Sequence, residues 1–97
     1  MADQKSAGDD LVMRRRRLRY RAWHRGTREL DLILGPFADA HAEAMPAIEL
    51  ARLEAVLETP DTDLMDWVLG ATAPQPDADR EMIDRIRQFQ HARATQR

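Results

Sequence analysis

The chain has 97 residues, of which 43% are apolar and 33% charged, with no cysteine. That suits one soluble folded domain with a modest core better than a disordered chain. It also excludes disulfides, thiolate chemistry and cysteine-based zinc sites. The net charge of −2 hides an asymmetry: nine basic against three acidic residues through Arg28, a net +6, then six basic against fourteen acidic residues, a net −8. Such a dipolar layout steers association without naming the partner.

Residues 1–9 are small and polar and read as a disordered tail ahead of a single helical domain over residues 10–93, with a second tail at 94–97. Asp9 or Asp10 suits the cap of a first helix running to about His24. Its apolar positions, Leu11, Leu18 and Ala22 with Tyr20 nearby, are sparse. The pattern predicts a narrow buried stripe and a broad arginine face, ended by Gly26. Thr27 suits the cap of a second helix, and Glu29 and Asp31 in its first turn complement the helix dipole. Leu30, Ile33, Leu34, Phe37, Ala38 and His41 then follow helical spacing. Gly35-Pro36 predicts a kink or break in that helix.

Pro46 suits the first turn of a third helix, with Leu50, Leu53 and Leu57 as its seam. Pro60-Asp61 starts a fourth, with Leu64, Trp67 and Val68 on its apolar face and Gly70 at its end. Asp77 or Asp79 starts the last, which carries Met82, Ile83, Ile86 and Phe89 at helical spacing. No segment alternates as a strand does. The predicted fold class is all-α, a compact bundle of about five short helices.

Catalytic signals are weak. His24, His41 and His91 stand apart, with no metal-ligand spacing among them. His41 continues an apolar stripe and reads as a core or boundary residue; His24 fits a helix end or a partner surface equally well. Asp61 and Asp63 sit at a helix start, where capping accounts for them. No phosphate loop or nucleophile triad appears. The expectation is a binding protein rather than an enzyme, with no metal and no tightly bound cofactor.

The run Arg14-Arg15-Arg16-Arg17, followed by Arg19 and Arg21, suits a solvated helix face, a phosphate-binding surface or a dock for an acidic protein. Arg25, Gly26 and Glu29 have a geometric consequence instead. Gly26 forces a tight corner between two helices, so the side chains of Arg25 and Glu29 emerge on either side of it. They pair with each other, or they are presented together to a partner.

These residues carry a family resemblance. The Arg-Gly-x-x-Glu motif at Arg25-Gly26-Thr27-Arg28-Glu29 follows the arginine-rich stretch Arg17 to His24 and precedes Leu30-Asp31-Leu32-Ile33-Leu34-Gly35-Pro36-Phe37-Ala38. Leu50 to Leu57, Pro60-Asp61 and Leu64-x-x-Trp67 ending at Gly70 come later in the same order. The chain thereby resembles the small bacterial and mitochondrial succinate dehydrogenase assembly factors, the flavinators, over nearly its whole length. Thr27 departs from the pattern, standing where an apolar residue is common.

The resemblance implies a chaperone-like five-helix bundle that binds the flavoprotein subunit of succinate dehydrogenase, a tricarboxylic acid cycle enzyme, and in bacteria sometimes that of fumarate reductase. It implies promotion of covalent FAD attachment to a histidine of that client, the FAD belonging to the client. It implies that Arg25, Gly26 and Glu29 face the flavoprotein, with Arg17, Arg21, His24 and Arg28 around them. No segment is apolar enough to insert in a membrane, and the acidic N-terminus lacks a signal peptide, so a cytoplasmic location is expected. The alternative is a nucleic-acid-associated or antitoxin-like regulator using the basic first helix. A plainer reading is an interaction bundle whose motif is only a capping corner.

Overall fold

A computed structural model describes the backbone of residues 3–95 and the side chains of residues 10–94. The expected tails at 1–9 and 94–97 lie partly outside those limits. Five α-helices follow in order: α1 (Asp3–Trp23), α2 (Arg28–His41), α3 (Ala47–Val56), α4 (Asp61–Leu69) and α5 (Arg80–Thr95), with a 3₁₀ turn at Ala42–Ala44 after α2. No strand occurs among the described residues. Helix α1 begins at Asp3, ahead of the start expected at Asp9 or Asp10. Apart from Gly8, residues 4–10 include no strong helix breaker, and one glycine is a tolerable cost in a long helix.

The core forms where the helical spacing places it. Leu30, Ile33, Leu34, Phe37 and Ala38 of α2 are buried, as are Leu50 and Leu53 of α3, Leu64, Trp67 and Val68 of α4, and Met82, Ile83 and Ile86 of α5. Helix α1 adds Leu18 and Ala22, and packs mainly along α2. Ala42 of the 3₁₀ turn and Met45 directly after it are also buried. His41 packs against the rings of Phe37 and Phe89, at 4.5 and 5.3 Å between centroids. Burial, aided by the charge of Arg85, holds its pKa below the ordinary imidazole value.

Helix starts follow local chemistry. The Thr27 hydroxyl accepts from the Leu30 N–H at 3.4 Å, capping α2. Asp79 accepts from the Met82 N–H at 3.1 Å and caps α5. Its carboxyl is held below the usual range, first by the hydrogen bonds from Arg52. Gly70 closes α4 in a left-handed conformation, with φ of 79°.

Of the kink or break expected at Gly35-Pro36, the break does not occur: α2 is continuous from Arg28 to His41 with Pro36 inside it. Two tertiary contacts account for this. Proline has no N–H, so the Leu32 carbonyl lacks its helical donor. Arg93 Nη1 from α5 donates to that carbonyl at 3.2 Å. Gly35 in turn is the seat of Trp23, and a Cβ placed there would stand 2.2 Å from Trp23 Cδ2. The glycine therefore serves close helix packing, and the Trp23 indole N–H donates to Asp39 at 3.1 Å.

Gly35→Ala should therefore destabilise the chain by about 1–3 kcal/mol, the usual cost of overpacking. The loss should shrink when Trp23 is first changed to Leu. Urea denaturation of the four chains of this cycle checks both points, and an Ala variant as stable as the parent would contradict the packing argument.

Candidate partner-docking corner

The corner between α1 and α2 is built from the backbone outward. Gly26 has φ of 103°, a region that side-chain-bearing residues rarely adopt. A Cβ on Gly26 would meet nothing nearer than Asp61 Oδ2 at 3.7 Å, so conformation rather than space requires the glycine. The Arg25 N–H donates to Asp31 Oδ1 at 2.6 Å, closing the turn from the α2 side.

The Arg25 side chain does not turn outward. It is 10% exposed and reaches into the corner between α3 and α4. Its Nε donates to Asp61 Oδ1 at 3.0 Å, and its Nη2 lies 2.8 Å from the same oxygen. Nη1 donates to the Leu57 carbonyl and Nη2 to the Thr59 carbonyl, at 2.5 and 2.9 Å. Carbonyls at the end of a helix lack intrahelical donors, so one guanidinium supplies what the end of α3 needs. Its planar fork suits three acceptors at once in a way that an ammonium does not.

Glu29 is not its partner. It lies exposed at the start of α2, and its side chain has no hydrogen bond or ion pair among the described residues. Arg28 and Arg17 are likewise exposed and unpaired among those residues. His24 stacks on Tyr20 with ring centroids 4.0 Å apart, and its Nδ1 lies 2.7 Å from the Tyr20 carbonyl. Arg17, Tyr20 and His24 share one face of α1 by their spacing, with Tyr20 65% exposed. Arg21 turns away to pair with Glu58 at 2.7 Å.

Of the residues selected from sequence, Gly26, Arg28, Glu29 and His24 thus meet at the exposed corner, with Arg17 further along α1. Arg25 and Arg21 are directed onto the bundle itself. The broad arginine face expected of α1 is also reduced. Arg14 pairs with Glu54 at 2.8 Å and Arg19 with Glu43 at 2.9 Å. Arg15 donates to the Ala42 and Met45 carbonyls, both at 2.9 Å. From the sequence, Asp31 had a role only toward the helix dipole and Asp61 only as a cap. Spacing along the chain does not reveal a contact between Arg25 and a residue 36 positions away.

Among the described residues no group of three or more His, Asp or Glu side chains is placed to hold a metal ion. No helix there is long and apolar enough to cross a membrane. A shallow depression of about 230 Å³ lies at the corner, lined by Tyr20, Arg21, His24 and Arg25.

Fold and corner together define a small helical bundle that presents an ordered polar turn at its surface. The family model described as flavinator of succinate dehydrogenase matches residues 16–90, and the chain belongs to that family. It is 52% identical over 64 residues to the FAD assembly factor SdhE of Acetobacter pasteurianus, covering 66% of this chain and 59% of that protein. Against the FAD assembly factor SdhE of Aliivibrio fischeri the identity is 35% over 65 residues, 67% of this chain and 76% of that one. Against the mitochondrial succinate dehydrogenase assembly factor 2 of Penicillium rubens it is 34% over 73 residues, 75% of this chain but 23% of that protein. The match therefore spans under two thirds of the Acetobacter relative and under a quarter of the Penicillium one. No solved structure matches the chain significantly.

Arg25→Ala strands two carbonyls and the Asp61 carboxylate, and should lower unfolding free energy by about 1–3 kcal/mol. Arg25→Lys should recover only part of that loss, having no fork. Denaturation curves check this; an Ala variant with parental stability would show that the guanidinium does not hold the two corners together.

Proposed function

We propose that this chain is an assembly factor that docks, through the corner at Gly26 to Glu29, on the flavoprotein subunit of succinate dehydrogenase and promotes covalent attachment of FAD to it. By the same surface it serves the flavoprotein of fumarate reductase. Family membership supports the client, and one observation supports the surface. Glu29 and Arg28 stand exposed and unpaired on an ordered turn, while Arg14, Arg15, Arg19, Arg21 and Arg25 are all engaged within the bundle. Side chains with no partner among the described residues are available for charge-assisted hydrogen bonds to another protein.

In this reading the chain is not an enzyme. Covalent attachment requires a client histidine and the flavin to be held in alignment, and alignment alone contributes much of a rate. The bundle selects the client conformation in which the two meet, shifting its population rather than moving protons. The FAD stays with the client throughout. Glu29 binds or orients a cationic group of the client, and Arg28, with Arg17 and His24 along α1, guides the approach. The alternative use of the first helix on nucleic acid has less support, because three of its six arginines, Arg14, Arg19 and Arg21, are paired with Glu54, Glu43 and Glu58.

Glu29→Ala should leave stability within about 0.5 kcal/mol of the parent, as for an exposed unpaired side chain. It should nonetheless sharply reduce covalent flavin on a co-expressed succinate dehydrogenase flavoprotein, read by in-gel flavin fluorescence. Full flavinylation with this variant would count against the corner as the docking surface.

A further inference from the structure

We propose that Asp61 is a positioning residue for this corner: acting through Arg25, its carboxylate fixes the direction in which Gly26 to Glu29 face a partner. The inference rests on the docking reading above and adds a residue that does not itself need to touch the client.

The corner's link to α3 and α4 runs through one side chain. Residues 24–27 belong to no helix. Their own bonds run to α1 and α2: His24 N–H to the Arg21 carbonyl at 3.4 Å, His24 Nδ1 beside the Tyr20 carbonyl at 2.7 Å, Arg25 N–H to Asp31, and the Thr27 hydroxyl and carbonyl accepting from the Leu30 and Asp31 N–H groups at 3.4 and 3.0 Å. Among the described residues, the hydrogen bonds that tie this connection to the α3–α4 turn and to α4 all pass through the Arg25 guanidinium, and its only charged acceptor is Asp61. Leu57 and Thr59 contribute carbonyls from a segment that is itself a turn.

Asp61 is the firm end of this link. It is the first residue of α4, directly after Pro60, whose carbonyl accepts from the Leu64 N–H at 2.9 Å. Three residues on, Leu64 is fully buried, with Trp67 and Val68 behind it. The carboxylate therefore reports the position of the core. One oxygen takes Arg25 at 2.8 and 3.0 Å, and the other is the nearest atom to the Cβ position of Gly26. A single side chain thus backs both motif residues, with Arg25 held on one side and Gly26 seated above. Positional precision of this kind comes from supporting residues whose own rotamers are locked, and a loose support costs affinity without abolishing the fold.

The test uses Asp61→Ala, the conservative Asp61→Glu, and a core variant, Ile86→Val, whose drop in melting temperature is compared with that of Asp61→Ala. In the free chain, exchange of the hydrogen-bonded corner amides of Arg25, Leu30 and Asp31 should quicken about tenfold in Asp61→Ala, with core amides of α5 and of the middle of α2 unchanged. For the flavoprotein subunit of succinate dehydrogenase, Asp61→Ala should bind about tenfold more weakly, the scale of one charge-assisted hydrogen bond. Asp61→Glu should restore most of that affinity, and Ile86→Val should bind as the parent does. Unchanged exchange at the corner would overturn the proposal, as would equal weakening by Ile86→Val. If the parent does not bind the flavoprotein, the docking reading fails, and the exchange measurement alone still decides whether Asp61 holds the corner.

Discussion

The clamp of Arg25 on Asp61 and on the Leu57 and Thr59 carbonyls is the contact on which the rest of the site depends. The turn at Gly26 is conformationally demanding, and a demanding turn persists only where its surroundings determine it. Here the determination comes from the next corner of the bundle. One guanidinium ends α3, meets the start of α4 and fixes the exit of α1. Burying most of that side chain costs solvation, and the bonds made by its Nε, Nη1 and Nη2 offset the cost. An apolar residue at this position would leave the helix-end carbonyls without donors.

The charge asymmetry of the sequence acquires a physical meaning in the fold. The basic first helix lies against acidic residues of the 3₁₀ turn, of α3 and of the turn after it, so half of its arginines are paired within the molecule. Arg14 with Glu54, Arg19 with Glu43 and Arg21 with Glu58 mark this seam. Exposed pairs of this kind contribute little stability each. Their effect is on availability: they engage Arg14, Arg19 and Arg21 within the molecule, while Arg16, Arg17, Arg28 and Glu29 stand exposed with no ion-pair partner among the described residues.

Much of the fold was legible because helical periodicity is a local signal. The stripe from Leu30 to Ala38, the seam Leu50-Leu53-Leu57 and the face Met82-Ile83-Ile86 are buried as their spacing predicts. The expectation that failed, a break at Gly35-Pro36, failed for a tertiary reason. Trp23 occupies the space over Gly35, and Arg93 supplies the donor that Pro36 lacks; neither is visible within the helix's own sequence. The site was legible to the same degree. Gly26 was recognisable as a corner because its chemistry is backbone chemistry. The inward course of Arg25 was not, because its acceptors lie more than thirty residues away along the chain. A motif read as a pair of presented charges is, in three dimensions, one anchor and one presented charge.

The central claim is that the turn from His24 to Leu32 is the face that meets the client. Hydrogen–deuterium exchange of this chain, alone and with the succinate dehydrogenase flavoprotein, tests it most directly. The account predicts slowed exchange confined to the end of α1, the corner and the first turn of α2, with the exposed start of α3 around Ile48 unchanged. Protection centred on α3 or on α5, with the corner unaffected, would contradict it.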